Sequence, residues 1–245
     1  MHRFFIPPDQ IETGRPVLRG PEVKHLVKVL RLGAGDVVEL LDGSGRGIRA
    51  RIDSVDREEV VCARLEEFSP GGEPPVRVTL VQGLAKGEKM DLVIQKSTEM
   101  GVAEIIPLIC RRTVVQLDSR KAAERQIRWQ RVALEAAKQC RRARVPVVRP
   151  PQGLGVVLDA IPEGTASFMP WEEERHRSFR QALEGENPGR VYIFIGPEGG
   201  FEISEVEEAG RRGVVTVTLG PRILRTETAG LACLSIIMCT WGDLG

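Results

Sequence analysis

Two glycine-bearing turns near the C-terminus constrain the fold of this chain more than any other feature. The first turn, residues 196–201, follows a short apolar run and precedes an acidic helix from about Ser204. The second turn, residues 220–225, also follows an apolar run and precedes an apolar helix from Thr226. Such runs are typical of strands buried on both faces of a sheet, and Gly-Pro stops each of them. We therefore expect the turns side by side at the carboxyl edge of a parallel sheet, where open α/β sheets bind ligands.

The glycines of these turns have a use beyond reversing the chain. Gly199 and Gly200 tolerate positive φ and let a ligand approach the backbone, whose N–H and C=O groups can bind a planar heterocycle. For a single loop of this kind, a plain tight turn is the simpler interpretation. Two such loops, with Arg222, Arg225 and Glu227 in and after the second, favour a ligand site.

The same turns carry a family resemblance. Two segments closely resemble the paired signature of the RsmE family: Phe194-Ile195-Gly196-Pro197-Glu198-Gly199-Gly200-Phe201 and Leu219-Gly220-Pro221-Arg222-Ile223-Leu224-Arg225-Thr226-Glu227-Thr228-Ala229. Members of that family are SPOUT-class methyltransferases, which use S-adenosylmethionine to methylate N3 of a uridine in 16S ribosomal RNA of the small subunit. The resemblance covers nearly the whole chain and is sharpest after Tyr192.

The resemblance implies an α/β fold with two domains. A C-terminal SPOUT domain, a trefoil-knotted parallel sheet, would follow a small N-terminal PUA-like β-barrel domain that helps to hold RNA. Sequence patterns agree, because strands and helices alternate from Val76 onward, and short strands around one helix precede that point. A Pro/Gly-rich linker at 69–75 places the domains at residues 1–70 and 71–245. The knot comes from the resemblance alone.

Several helix positions follow from local patterns. Ser119 is predicted to cap the long basic helix, and Ser204 with Glu207 is predicted to form a capping box. The acidic run at 172–174 predicts the start of a helix that carries His176. The last helix is apolar almost all round and must be buried on more than one side, which agrees with the homodimer that the resemblance implies.

One strand of the parallel series carries an unusual residue. Pro107 lies within the predicted strand at 104–108 and lacks a backbone N–H. Prolines are confined to edge strands, strand ends and bulges, so we expect this strand to lie at an edge or to end early.

The distribution of charge favours a nucleic-acid partner, although the net charge is only +1. Residues 110–150 carry 12 Lys/Arg and 3 acids, a net charge of +9, so the remainder carries −8. A basic stripe on an otherwise acidic protein is typical of surfaces that bind phosphates, with a solvated helix face as the alternative. In this stripe we predict RNA contacts by Arg111, Arg112, Arg141, Arg142 and Arg144. The family resemblance of the first domain, which includes the segment at 25–31, adds Arg3, Lys24, His25, Lys28 and Arg31. An ordinary surface histidine explains His25 equally well.

Other classes of site and protein are disfavoured. The five cysteines and three histidines are scattered and lack metal-ligand spacing, so no metal site is expected. The chain has no apolar run long enough for a membrane span and no N-terminal signal peptide, so we expect no membrane partner and a cytoplasmic location. It also lacks the glycine fingerprints of dinucleotide and P-loop enzymes.

The resemblance implies an S-adenosylmethionine pocket built by both turns. A third strand should end beside these turns, which would place Met169, Pro170 and Trp171 in the wall of the pocket. A core role for Trp171 is equally compatible with its position. The residues expected to hold the cofactor are Met169, Pro170, Ile195, Gly196, Pro197, Gly199, Gly200, Leu219, Gly220, Arg222, Ile223, Leu224, Thr228 and Ala229.

Methylation at uridine N3 requires that the nitrogen lose its proton. Arg225 could stabilise the anion that develops on a ring oxygen. Glu227 or Glu198 could take the proton, although a charge at a helix N-terminus also explains Glu227. The predicted catalytic residues are thus Arg225, Glu227 and Glu198, and the sequence leaves the choice between the two acids open.

Two other functions remain open from sequence alone. The basic stripe and the first domain would suffice for a non-catalytic RNA-binding or ribosome-assembly protein, which would bind no cofactor. A related SPOUT enzyme could instead methylate another base or a ribose 2′-OH, and the ribose reaction needs no deprotonation of N3. Cofactor binding tests the first alternative, and product analysis tests the second.

Overall fold

The computed structural model describes residues 1–115 and 117–245, which form two compact units. The first unit comprises residues 1–73 together with 137–145, and the second comprises 74–136 and 146–245. A linear boundary cannot describe this division, because the segment at 137–145 is distant in sequence from the rest of the first unit. The predicted boundary after residue 70 stays a prediction.

The first unit is built on a five-stranded sheet with the order β1-β3-β4-β5-β2. Its strands are β1 (Arg3–Phe5), β2 (Val17–Arg19), β3 (Val37–Leu41), β4 (Gly47–Val55) and β5 (Glu59–Phe68). The pairing of β1 with β3 is parallel and the other pairings are antiparallel. Alternate residues of the strands, including Leu40, Ile48 and Ile52, form a buried apolar core. The sequence patterns missed β2 and a short helix, α1 (Pro8–Ile11).

The one helix expected among the strands of the first domain has two parts. It begins as α2 (Pro21–Lys24) and continues as a π-helical turn over His25–Val29, closed by a 3.1 Å hydrogen bond from Leu30 N–H to the His25 carbonyl. Val23 and Leu26 are buried, so Lys24, His25 and Lys28 face solvent. π-helical turns are rare and are frequent at functional sites.

The second unit is organised on a seven-stranded parallel sheet with the order β12-β10-β11-β6-β7-β8, in which β9 also pairs with β7. Its strands are β6 (Arg77–Gly83), β7 (Glu104–Ile109), β8 (Val147–Val148), β9 (Gln152–Gly153), β10 (Ala166–Pro170), β11 (Arg190–Ile195) and β12 (Val215–Val217). The two glycine turns follow β11 and β12, which flank β10. The prediction that the turns lie side by side is therefore wrong in detail, because the end of β10 lies between them.

The prediction for Pro107 is also wrong. The strand β7 is internal and continues to Ile109, with β6 on one side and β8 and β9 on the other. Glu104 and Ile105 pair with β8, and Leu108 and Ile109 pair with β9, so the partner strand is interrupted opposite Pro107. The missing N–H therefore falls where no ladder bond is required.

Helices cover both faces of this sheet. They are α3 (Lys89–Glu99), α4 (Ser119–Gln139), α5 (Leu154–Asp159), α6 (Phe179–Ala182), α7 (Ile203–Arg211) and α8 (Thr226–Trp241). The last helix packs against α3 and against strands β6 and β11, whereas α5 contacts α7. None of the helices in the described part of the chain is long and apolar enough to cross a membrane.

Three predictions of helix starts are corrected by the structure. Asp118 rather than Ser119 caps α4, since its carboxylate accepts the Lys121 N–H at 2.7 Å. The acidic run at 172–174 and His176 lie in a loop, and the next helix begins only at Phe179. In that loop, Glu174 accepts the backbone N–H groups of His176 and Arg177, which lower the pKa of its carboxyl group. A run of acids alone therefore did not specify a helix start.

The capping box of α7 is the third correction. Glu202, in extended conformation, is the N-cap, and Glu205 rather than Glu207 is its partner. The buried Glu205 carboxylate accepts the Glu202 N–H at 3.0 Å and the Arg111 N–H at 2.9 Å. One side chain thus satisfies two backbone donors, and α7 starts one residue earlier than expected.

We expect Glu205→Ala to destabilise the protein by about 2–4 kcal/mol, because two backbone N–H groups lose their acceptor. Urea unfolding of both proteins measures the difference. The matched control is Glu207→Ala, which removes an exposed carboxylate from the same helix and should change stability by less than about 0.5 kcal/mol. Equal effects of the two substitutions would contradict the assigned capping box.

Candidate functional site

A cavity of about 500 Å³ lies at the carboxyl edge of the parallel sheet in the second unit. The first glycine turn, the end of β10, the start of α3 and the start of α8 enclose it. Its lining residues are Lys89, Pro170, Glu172, Ile195, Gly196, Pro197, Glu198, Gly199, Gly200, Phe201, Ile223, Leu224, Arg225, Thr226 and Ala229. This volume lies in the range of small-molecule sites, and the position is the one expected for ligands of open α/β sheets.

The first glycine turn is folded tightly around small residues. Gly200 has φ +69° and donates its N–H to the Pro197 carbonyl at 2.9 Å. A Cβ on Gly200 would lie 2.6 Å from a carboxylate oxygen of Glu172, and a Cβ on Gly196 would lie 3.1 Å from the carbonyl carbon of Gly200. Backbone, rather than side chains, therefore forms much of this wall of the cavity.

A lysine ties the two turns together. Lys89 Nζ lies 3.3 Å from a carboxylate oxygen of Glu198 in the first turn and 3.3 Å from Oε2 of Glu227 after the second turn. Glu198 also accepts the Lys86 backbone N–H at 3.1 Å. Partial burial raises the pKa of the Glu198 carboxyl group, but the Lys86 N–H and Lys89 outweigh it, so the pKa is lowered. The same contact with Glu198 raises the pKa of Lys89.

We expect Lys89→Met to weaken ligand binding in the cavity by about fivefold, because both turns lose their common cation. Because the pKa of Glu198 is lowered, its carboxylate stays charged down to a pH below the ordinary carboxyl pKa. Because the pKa of Lys89 is raised, its ammonium group stays charged up to a pH above the ordinary amine pKa. The loss should thus be equal at about pH 6 and about pH 9. Calorimetric titration at both values measures it, and a loss confined to one of them would contradict the ion pair.

The predicted RNA contacts of the second unit have local partners. The Arg112 guanidinium donates to the Gly199 carbonyl at 3.0 Å, so this arginine braces the first glycine turn. The Arg111 guanidinium is 65% exposed, and one of its nitrogens lies 3.5 Å from Glu202. At least seven of the 12 basic residues in the stripe form ion pairs: Arg111, Arg120, Lys121, Arg128, Lys138, Arg142 and Arg149. The stripe therefore has fewer unengaged cations than its composition indicated.

In the first unit, Arg142 is the clearest departure from the predicted RNA contacts. Its side chain is only 6% exposed and donates to Glu73 at 2.7 Å, an arrangement typical of a structural ion pair. Arg3 is engaged too, with bonds of 2.8 Å to Glu39 and to the Arg141 carbonyl. By contrast, Arg144 is exposed.

Two of the predicted RNA-binding arginines have unusual backbones. Arg31 has φ +57° and Arg141 has φ +62°, and both side chains are exposed. Each follows the end of a helical segment, where glycine is the usual residue, so each arginine accepts a less favourable conformation. Such outliers are concentrated at functional sites.

The structure brings only part of the predicted cofactor set to the cavity. Pro170, Ile195 and the glycines of the first turn line it, as do Ile223, Leu224 and Ala229 from the second turn and α8. Met169 is fully buried in the core beneath, and Trp171 packs against the same core. With Met169, five predicted residues are not among the lining residues, the other four being Leu219, Gly220, Arg222 and Thr228.

Of the predicted catalytic residues, Arg225 and Glu198 line the cavity. The Glu227 side chain is 14% exposed and contacts the cavity residue Lys89. The sequence patterns missed Lys89, Glu172 and Thr226 as cavity residues, and they included Phe201 only as part of the first turn. Phe201 and Thr226 stand within the two motifs and Glu172 follows a strand end, so position could have identified them, whereas only tertiary structure identifies Lys89.

The described residues contain no cluster of side chains suited to metal binding or to thiol chemistry. No group of three or more His, Cys, Asp or Glu side chains there could hold a metal ion. The cysteines are reduced, and burial raises the pKa of the Cys110 thiol to about 12 and that of Cys62 to about 11. The expected absence of a metal stays a prediction.

Comparison with known proteins agrees with both units. Residues 72–238 match the model of an RNA methyltransferase domain, and residues 18–63 match an RNA methyltransferase PUA domain. Ribosomal RNA small subunit methyltransferase E of Bacillus subtilis is 36% identical over 97% of this chain and 96% of its own length. A relative of that name from Aquifex aeolicus is 30% identical over 97% and 99%.

Solved structures agree as well. The crystal structure of a ribosomal RNA small subunit methyltransferase E from Neisseria gonorrhoeae, bound to S-adenosyl methionine, superposes with a TM-score of 0.86 and 34% identity, covering all of both chains. The fold and the cavity thus define an RNA methyltransferase with a PUA domain, and the predicted fold class is confirmed. More narrowly, the chain belongs to the ribosomal RNA small subunit methyltransferase E family. The trefoil knot stays a prediction.

Proposed function

We propose that this protein uses S-adenosylmethionine to methylate N3 of a specific uridine in 16S ribosomal RNA of the small subunit. One observation carries the proposal: the glycine-lined cavity lies where the two family motifs meet, within a chain of this family. Its volume suits a nucleoside-sized ligand. A substrate within the ribosomal subunit implies a cytoplasmic location.

The cavity fits the proposed cofactor by shape and by donor chemistry. Backbone groups of the first turn, with Pro170, Ile195 and Leu224, would hold the adenosine, since glycines leave those backbone groups open to a planar base. Carboxylates of Glu172 and Glu198 line the same cavity and suit a cationic ligand. When bound, the cofactor supplies an electrophilic methyl group. Because the turns are already formed, the protein contributes mainly positioning.

Removal of the N3 proton falls to the charged groups at the mouth of the cavity. Arg225 is the N-cap of α8 and lines the cavity, so its guanidinium would stabilise negative charge on a uridine oxygen. Glu198 accepts two donors and has a lowered pKa, which makes it a weak base. Oε2 of Glu227 is buried, and its charged neighbour is Lys89 Nζ at 3.3 Å, with no backbone donor among the described residues. We therefore assign proton removal to Glu227 and anchoring of the first turn to Glu198.

We propose a smaller set of RNA-binding residues than the sequence predicts, because some of the predicted residues already bind other groups of the protein. In the first unit we propose that Lys24, His25, Lys28 and Arg31, which are exposed around the π-helical turn, contact RNA phosphates or bases, together with Arg141 and Arg144. In the second unit we propose Arg111. We assign structural roles to Arg142, which pairs with Glu73, and to Arg112, which braces the first turn. We leave Arg3 out of the RNA-binding set because its guanidinium already donates to Glu39 and to the Arg141 carbonyl.

We also propose a homodimer. The helix α8 is apolar on nearly every side, and Leu231, Ala232 and Ile236 are only partly covered within one chain. An apolar helix face of this kind is stabilised by a partner surface. Light scattering after size exclusion should then give about twice the chain mass of 27.1 kDa.

Transfer of a labelled methyl group tests the proposed function. Purified protein would be incubated with methyl-labelled S-adenosylmethionine and either free 16S RNA or the isolated small subunit. Mass spectrometry of the digested RNA should identify N3-methyluridine, and reverse transcription should stop at the modified position, because N3 then cannot pair. A 2′-O-methyl nucleotide or another methylated base would identify a different SPOUT activity. RNA binding without any methyl transfer or cofactor binding would support a non-catalytic assembly protein.

A further inference from the structure

We propose that Gln82 and Thr226 are positioning residues of the cavity, which together fix the Gly196–Pro197 peptide at the start of the first glycine turn. The proposal rests on the proposed function, since it concerns how the same cavity is held. Gln82 is the next-to-last residue of β6 and is fully buried, and Thr226 is the first residue of α8 and is 6% exposed. The sequence patterns assigned neither side chain a role.

The hydrogen bonds between these residues run in one direction only. Thr226 Oγ1 lies 2.6 Å from the Gly196 carbonyl oxygen, and Gln82 Nε2 lies 2.9 Å from Thr226 Oγ1. A carbonyl only accepts, so the Thr226 hydroxyl donates its single proton to Gly196. Gln82 must then donate to Thr226, which fixes the orientation of its amide group.

The same peptide also packs closely against Gly83. A Cβ on Gly83 would lie 2.4 Å from the Pro197 nitrogen and 2.6 Å from the Gly196 carbonyl carbon. The Gly196–Pro197 peptide is therefore held by two contacts, close packing against Gly83 and the hydrogen bond from the Thr226 hydroxyl to its carbonyl. Because Thr226 also begins the helix after the second turn, one relay connects both turns of the cavity.

The remaining atom of the Gln82 amide indicates what the relay is for. Gln82 Oε1 is buried and has no hydrogen-bond partner among the described residues, and it faces Gly230, where a Cβ would lie 2.9 Å from it. A buried acceptor without a partner is unfavourable for stability. A side chain kept there despite this cost is better explained by the donor that it supplies to Thr226 than by a gain in stability.

The test compares Thr226→Val, which removes the hydroxyl and keeps the shape, with Thr226→Ser, which keeps the hydroxyl. In methyl-transfer assays we expect Thr226→Val to raise KM for S-adenosylmethionine by about tenfold, with kcat and KM for RNA within about twofold. Thr226→Ser should stay within about threefold of the wild type. Gln82→Met removes the donor at similar volume and should also raise KM for S-adenosylmethionine. This second variant keeps the test available if Thr226→Val fails to fold.

The matched control is Thr98→Val, which removes an equally buried hydroxyl that donates to the Ile94 carbonyl at 2.7 Å in α3. It should lower thermal stability without changing KM for the cofactor. Unchanged KM in folded Thr226→Val and Gln82→Met would overturn the inference, and so would an equal rise in Thr98→Val. If instead the wild type binds no S-adenosylmethionine, with or without RNA, the proposed function itself fails.

Discussion

Replacing Gly83 with alanine should abolish cofactor binding while leaving most of the fold intact. The added Cβ would lie 2.4 Å from the Pro197 nitrogen, 2.6 Å from the Gly196 carbonyl carbon and 2.9 Å from the Ile195 carbonyl oxygen. All three are backbone atoms next to a strand pairing, Gln82 with Ile195, so they cannot move aside cheaply. We expect affinity for S-adenosylmethionine to fall by at least about 100-fold and stability by about 1–3 kcal/mol.

Calorimetric titration and thermal unfolding measure the two effects of Gly83→Ala. The matched control is Gly210→Ala, because a Cβ at this exposed position of α7 meets no atom within 4 Å. The control should bind cofactor normally and gain about 0.5–1 kcal/mol of stability, as expected for glycine replaced within a helix. Wild-type affinity in Gly83→Ala would show that the close approach to the first turn is not needed for the site.

Replacing Arg225 with methionine should lower kcat by about 100-fold, because the charge that develops on the uridine oxygen loses its stabilising cation. Cofactor affinity should change by less than about threefold, since backbone groups carry most of that binding. The side chain is exposed at the cavity, and its own carbonyl, not the guanidinium, accepts the N–H groups of Thr228 and Ala229. The substitution therefore leaves the start of α8 in place.

Single-turnover methyl transfer and cofactor titration separate the two quantities for Arg225→Met. The matched control is Arg211→Met, at the exposed end of α7, which should leave both kcat and affinity unchanged. A variant that keeps kcat but no longer binds cofactor would make Arg225 a cofactor anchor. A variant with normal kcat and normal cofactor affinity would show that Arg225 has no role in the site.

Much of the fold could be read from local patterns because those patterns are set by near neighbours. The apolar runs before the two turns predicted β11 and β12, and α8 begins at Thr226 as expected. Gly101, with φ +90°, follows the C-cap of α3, a position where glycine is the usual residue. By contrast, Ser119 and Ser204 resembled helix caps as well as Asp118 and Glu202 did, and only the folded backbone selected between them.

The backbone of the candidate site could be predicted from the sequence, whereas the contacts of its charged side chains mostly could not. The two motifs themselves placed the glycine turns at strand ends. Lys89, in contrast, lies more than a hundred residues before Glu198 and reaches it only because α3 follows β6, the neighbour of β11 in the sheet. The Arg142 side chain is similar, since its exposure depended on a contact with Glu73 that no local pattern encodes.

The sequence by itself determined most of the strands, turns and helices, although not β2, α1 or the caps of α4 and α7, and its motifs identified where the cavity would be built. The tertiary structure decided the order of the strands, and with it the insertion of β10 between the two turns. It also decided the contact of Gly83 with the first turn and the relay from Gln82 through Thr226 to Gly196. The physical reason is range: local backbone preferences act over a few residues, whereas strand pairing and side-chain packing join residues that are far apart in the chain.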